Sequence, residues 1–338
     1  MRKYMLFLGA LAIASSTYAQ TYKTKFSGAN KQVVMDMDAK QLDIEGYSGD
    51  EVIIEASDLP KVPQEADGLR PLSAGGVDNT NIGLSSNLNG DILRINVVLK
   101  GKATYKVKMP QDLNLIIKKR NSCSCNENGM SISGIKGSIE VNTNYEDITL
   151  NNVSGPIVAN SSQGKIKIVF DDKMPEKPSS IVSYSDNVDI TVSEKAKVLF
   201  SISASDGNMF TDLDLKPYTP DPKTIEEEKK AYEEARIIGR KAMESDAARA
   251  ASDRVAIRSQ SSGTATTYAP GNRAYISQSG EGNNVVIGST NGVVYSFSDG
   301  QYRYWDSDRN APKYVLNEPQ TKISIRSTRG NVYLRKKK

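Results

Sequence analysis

Asp171 and Asp172 are adjacent carboxylates, the residue types that acid–base chemistry uses. Neighbours on a strand point to opposite faces, so this pair cannot flank one scissile bond unless a turn reorients it. A solvated turn before Lys173 is the simpler assignment. The run Asp78-Asn79-Thr80-Asn81 offers oxygen ligands, but a single carboxylate is thin for calcium. Cys123 and Cys125 form a C-x-C pair whose direct disulfide would be short and strained. Two thiolates alone also make a poor metal site, so small buried or edge thiols are expected. The chain contains no His, which excludes imidazole triads and His-ligated zinc. Carboxylate, Lys, Arg and Tyr chemistry remain open. No phosphate-binding loop, nucleophile elbow or HExxH motif is present. The sequence therefore offers no catalytic, cofactor-binding or metal-binding residue, and a non-enzymatic protein without cofactor is expected.

Composition sets the compartment. Arg2 and Lys3, the apolar run 5–14, and the small residues Thr17 and Ala19 form a secretory leader with cleavage before Gln20. The run is well short of the ~20 residues of a spanning helix. An exported protein, in the periplasm or at the outer membrane or cell surface, is expected, with no transmembrane segment in the mature chain. Of 338 residues, 44 are Lys or Arg and 40 are Asp or Glu. Losing Arg2 and Lys3 with the leader narrows that excess to two. Such a balance argues against a nucleic-acid partner, which would call for a basic face.

The elements that position these residues come from a repeat. Gly137, Glu146, Gly155 and Gly164 are spaced by nine residues. Apolar residues follow two and four positions after each mark: Ile139 and Val141, Ile148 and Leu150, Ile157 and Ala159, Ile166 and Ile168. Period-two alternation means a strand with one buried face, and the Gly or polar cluster supplies the turn. One such unit cannot bury its apolar face alone, so neighbours must stack. The expectation is an all-β, parallel β-solenoid in which each nine-residue unit is one side of a coil. A meander of antiparallel hairpins is the competing arrangement. The stretch 60–89, rich in Gly, Asn and Ser, is expected to be a long loop.

One segment breaks the pattern. After the Pro217–Pro222 cluster, residues 223–258 are rich in Glu, Lys, Arg and Ala, with Thr224 and Glu227 spaced as a capping box. This predicts one long helical insertion, followed by a flexible linker over 259–273. Its apolar stripe of Tyr232, Ala235, Ile238 and Ala242 is thin, which suits a charged excursion better than a coiled coil. Tyr232 and Ile238 are nonetheless candidate contacts. Strands resume afterwards, with Tyr295, Phe297, Tyr302 and Tyr304 concentrated together. A hairpin at Asp299-Gly300 would set all four on one face, as a platform for sugar rings if exposed. Tyr302 and Tyr304 follow Gly300 in the buried phase, so packing is expected, and Trp305 becomes the candidate surface contact.

The repeats at 133–141, 153–159 and 162–168, the strand Tyr105–Pro110 and the closing Ser327–Leu334 together resemble the "putative-adhesin" β-strand-repeat family of bacterial envelope proteins. The likeness covers roughly residues 30–215 and 275–335. It implies a right-handed β-helix-like fold and an envelope location, and it supplies no catalytic or binding residue. Glu146 departs from the repeat's Gly and would distort its turn. The expected organisation is a leader over 1–19, the β-strand-repeat domain over 20–216, the helical insertion and linker over 217–273, and the closing part of the β domain over 274–338. The function expected is an adhesin-like or scaffold protein of the bacterial cell envelope, with an envelope protein or polysaccharide as partner. The alternatives are a carbohydrate-active β-helix enzyme using Asp, Lys and Arg, and an envelope-stress regulatory protein that binds a membrane partner through the insertion.

Overall fold

The computed structural model describes residues 20–28, 30–37, 39–99, 101, 103–118, 129–219, 222–223, 226 and 311–338, and the backbone of four strands within 274–305. Their order begins with β1 (Gln20–Lys25), β2 (Gln32–Asp36), β3 (Gln41–Tyr47), β4 (Glu51–Ser57), β5 (Leu72–Ser73), β6 (Gly76–Val77), β7 (Leu84–Asn89), β8 (Ile92–Val97) and β9 (Thr104–Pro110). The repeat region holds β10 (Asn114–Lys118), β11 (Gly129–Ser133), β12 (Ile139–Thr143), β13 (Asp147–Val153), β14 (Ile157–Ser161), β15 (Ile166–Phe170), β16 (Ser179–Ser183), β17 (Val188–Val192), β18 (Val198–Ala204), β19 (Met209–Thr211) and β20 (Lys216–Pro217). The chain closes with β21 (Ala274–Gln278), β22 (Val285–Ser289), β23 (Val294–Ser298), β24 (Gln301–Trp305), β25 (Lys313–Leu316), β26 (Thr321–Ser327) and β27 (Val332–Lys336).

Two large sheets form the body. Sheet A runs β1-β4-β9-β3-β11-β13-β15-β17-β27-β19, and sheet B runs β20-β25-β18-β26-β16-β14-β12-β10-β2-β8-β7. Successive repeat units alternate between them. Ile139 on β12 lies beside Ile157 on β14, while Ile148 on β13 lies beside Ile166 on β15. The inward residues Ile148, Leu150, Ile157, Ile166, Ile168 and Ile181 are all fully buried in one continuous core between the sheets. The glycine phase has a steric cause. A Cβ on Gly164 would stand 2.0 Å from the Glu146 carbonyl oxygen, and one on Gly155 would stand 1.9 Å from that of Gly137. Adjacent turns stack too closely for any side chain at these points. Hydroxyls bind the turns as well. Thr143, Ser183 and Ser327 donate to the carbonyls of Glu146, Asp186 and Gly330 at 3.2, 2.7 and 2.7 Å. The turn at Glu146 thus closes as its neighbours do, and the expected distortion is absent.

The expected plain parallel solenoid is not what forms. Both sheets are mixed: β1, β4 and β9 pair antiparallel at one end of sheet A, and β7–β8 and β20–β25–β18 do so at the ends of sheet B. The stacking order also departs from chain order. The pair β2–β3 sits between β8–β9 and β10–β11, and the C-terminal pair β26–β27 sits between β16–β17 and β18–β19. Antiparallel end strands cover edges that a simple stack would leave open. Strands β21–β24 pair antiparallel with one another in a separate sheet and do not extend the repeat.

The long helical insertion is likewise not seen. The described elements are strands and one 3-10 turn at Gln64–Ala66. Of 223–258 only Lys223 and Glu226 are described, and the leader and both cysteines also lie outside the described residues. The expected loop over 60–89 is shorter than expected, because Leu84–Asn89 is strand β7, paired with β8. Among the described residues no helix is long and apolar enough to cross a membrane.

Candidate functional site

The outward face of sheet A is the open one. Three residues after each turn mark, a row crosses the sheet: Ser131, Thr149, Lys167, Asp189, Tyr333 and Phe210 lie side by side on β11, β13, β15, β17, β27 and β19. Towards β9 the row continues through Asp43, Lys106 and Glu55 in alternating charge. Next to it Lys108 and Glu45 pair at 3.8 Å, both well exposed. Such exposed pairs contribute little to stability, so this part of the face is a polar surface.

The character changes at the β19 end. The Tyr333 and Phe210 rings stack with centroids 5.4 Å apart and planes 15° from parallel. Phe210 is 51% exposed, on an edge strand whose three residues all face solvent. The Arg335 guanidinium lies 5.2 Å from the Tyr333 ring centre. Its Nε donates to both Asp189 carboxylate oxygens, at 2.9 and 3.0 Å. Asp189 is mostly buried, so it holds the guanidinium in place from beneath. A second stack of the same kind lies at the turns after β16 and β26, where Arg329 sits 5.2 Å from the exposed Tyr184 ring. Cation and ring are mutually favourable at this separation. The result is a surface of open rings and fixed guanidinium groups.

The residues singled out from sequence fall elsewhere. Asp171 and Asp172 form a turn neutralised by Lys337, whose Nζ is 3.1 Å from Asp172 and 4.0 Å from Asp171. The Asp78 carboxylate is consumed by its own loop. It accepts from the backbone N–H groups of Thr80, Asn81 and Gly83 and from the Thr80 hydroxyl, all within 3.0 Å. A cation would have to compete with every one of these bonds. Tyr232 and Ile238 lie outside the described residues. Trp305 is on β24, where its backbone pairs with Val294; the same sheet pairs Phe297 with Tyr302 and Tyr295 with Tyr304. Their side chains lie outside what is described. A cleft of about 220 Å³ at the β25 end is lined by Glu194, Asp214 and Lys216 among others, and Glu194 there is tied to Lys336.

Sequence reasoning missed the Asp189, Tyr333 and Phe210 cluster. The signal was present: Asp186, Gly330 and Gly207 are turn marks, and each of the three side chains stands three residues after one. What could not be read was that the C-terminal strand lies between the other two.

No protein-family model matches this chain, and no curated protein matches its sequence. A solved structure of a "putative cell adhesion protein" from Clostridium sporogenes is similar over 95% of this chain and 100% of its own, at 8% identity and a TM-score of 0.37.

Proposed function

We propose that the protein is an exported, non-enzymatic adhesin-like or scaffold module of the bacterial cell envelope, contacting an envelope protein or polysaccharide through the outward face of sheet A. The observation that carries this reading is the Phe210–Tyr333–Arg335–Asp189 cluster. Aromatic rings and arginine are the groups that contribute most in contact surfaces. The Asp189 carboxylate and the Tyr333 ring fix Arg335 beforehand, so little side-chain freedom remains to be lost on binding. A stacked ring pair beside a guanidinium suits a sugar ring carrying an anionic group.

The test is a paired substitution, Phe210→Ala with Tyr333→Ala. Binding of the exported chain to immobilised envelope polysaccharide and to solubilised envelope protein is measured against wild type. We expect at least a tenfold loss, about 1.4 kcal/mol, on one of the two supports, with an unchanged melting temperature. Wild-type binding to both would overturn the reading.

A further inference from the structure

The outward side of sheet B differs from that of sheet A. Register sets Val34, Ile116, Glu140, Val158, Ser180 and Ser324 in one row across β2, β10, β12, β14, β16 and β26. All six are buried, at 6, 2, 1, 2, 1 and 7% exposure. On sheet A the equivalent Thr149 is half-buried and Lys167 exposed. A row pointing away from the core stays dry only if something lies over it. The strands of the two sheets cannot supply that cover themselves, and the described strands outside them are β21–β24 and the β5–β6 hairpin. The loop before β7 bonds at one end only, to β7 and β8.

We propose that the outward face of sheet B is a docking surface for this chain's own residues 227–273. The attachment points favour this occupant. The chain leaves the body after β20 and returns at β25, and these two strands pair with each other at the edge of sheet B. Length also fits. The row crosses six strands, about 24 Å at ~4.8 Å per strand, a distance 47 residues can span whether extended or helical.

Charge is complementary. The match lies at the start of the segment: the face carries Arg94, Lys118, Lys322 and Arg326 against Asp36 and Glu140, and residues 226–234 hold five Glu against two Lys, while 227–273 as a whole carries nine Lys or Arg and seven Asp or Glu. Tyr232 and Ile238 offer apolar surface to Val34, Ile116 and Val158. Glu140 Oε2 and Ser201 Oγ, both on this face, have no hydrogen-bond partner among the described residues.

The test uses the full chain and two measurements. A short amine-reactive cross-linker with peptide mapping should join Lys118 or Lys322 to Lys229, Lys230 or Lys241 within one molecule. In a Cys123→Ser, Cys125→Ser background, the thiol of V158C should be alkylated at least about 50-fold more slowly than that of T149C on sheet A, at every protein concentration. Equal rates for the two thiols would show an open face and overturn the proposal. Links between molecules, or protection that fades on dilution, would assign the face to a second copy. Protection without a link to 227–273 would assign it to another segment. Each of these outcomes leaves the sheet A reading standing, since none touches Phe210 or Tyr333.

Discussion

Glu140 occupies the middle of sheet B's buried outward row, where water reaches only 1% of its surface. Asn142 donates to one carboxylate oxygen at 3.1 Å, and the other has no partner among the described residues. Burial is the largest influence on its proton. It pushes the carboxyl from 4.5 up to about 7, against the opposing pull of Lys118 on the neighbouring strand and of the Asn142 bond. Burial in turn lowers Lys118, with Glu140 and Asp36 raising it and Arg94 lowering it further. The linkage has a definite sign. Between 4.5 and about 7 the folded state keeps the Glu140 proton and the unfolded chain releases it. The contribution is therefore fully present below the unfolded value and is lost as pH rises through about 7. Glu140→Gln should flatten that slope and raise stability at pH 8 by up to roughly 3 kcal/mol. Urea midpoints of the two proteins at pH 5 and pH 8 check this. A variant with the wild-type pH dependence would contradict it.

Stacked turns make the coils an element in their own right. Gly164 packs against the Glu146 backbone, Gly330 against Asp186 and Gly207 against Gly330, with a carbonyl oxygen 2.0, 2.1 and 2.1 Å from where a Cβ would stand. The neighbour is backbone already held by the stack, so it has no flexible end to swing aside. Gly164→Ala should force the β13 and β15 turns apart and cost about 1–3 kcal/mol. A reduced urea midpoint with an unchanged slope would show this, because the same surface still unfolds. An unaltered midpoint would mean that the turn spacing is soft. Side-chain oxygens add a second tie between coils. Asn187 accepts from the Asn331 N–H, and Asn331 from that of Asn208, at 2.8 and 2.9 Å.

At the scale of the whole molecule, the C-terminal strands are interior. Val332 lies between Val188 and Met209 in sheet A, and Ile325 between Ile181 and Ile202 in sheet B. The coil of β18 and β19 is thus attached to the rest of the stack through residues more than a hundred positions later in sequence. Removing residues 320–338 should leave a gap one coil thick, about 4.8 Å high, bordered by Val188, Ile181 and Ile202. The truncated chain should lose cooperative thermal unfolding by circular dichroism. A truncation that melts as the full chain does would mean that β18–β19 can close directly on β16–β17. Such non-local closure also delays completion of the stack until the last strands are available, since distant segments meet only after the loop between them is closed.

The sequence by itself determined which side of each repeat strand faces the core, because burial alternates with period two along the chain and the turn marks fix its phase. Ile139, Ile148, Ile157 and Ile166 were legible for that reason. A further signal was legible but local: Val33-Val34-Met35, Leu115-Ile116-Ile117 and Ile157-Val158-Ala159 are unbroken apolar runs, the mark of strands buried on both faces. Tertiary structure alone decided which coil neighbours which. A strand's own pattern states that it needs a neighbour on each side and is silent on which strand supplies it, so the insertion of β26–β27 ahead of β18–β19 left no local trace. Phe210, Tyr333 and Arg335 became one cluster only through that order. Strands β21–β24 carried the same alternation and joined no coil, since period two sets a strand's faces and leaves its partner to the packing of the whole.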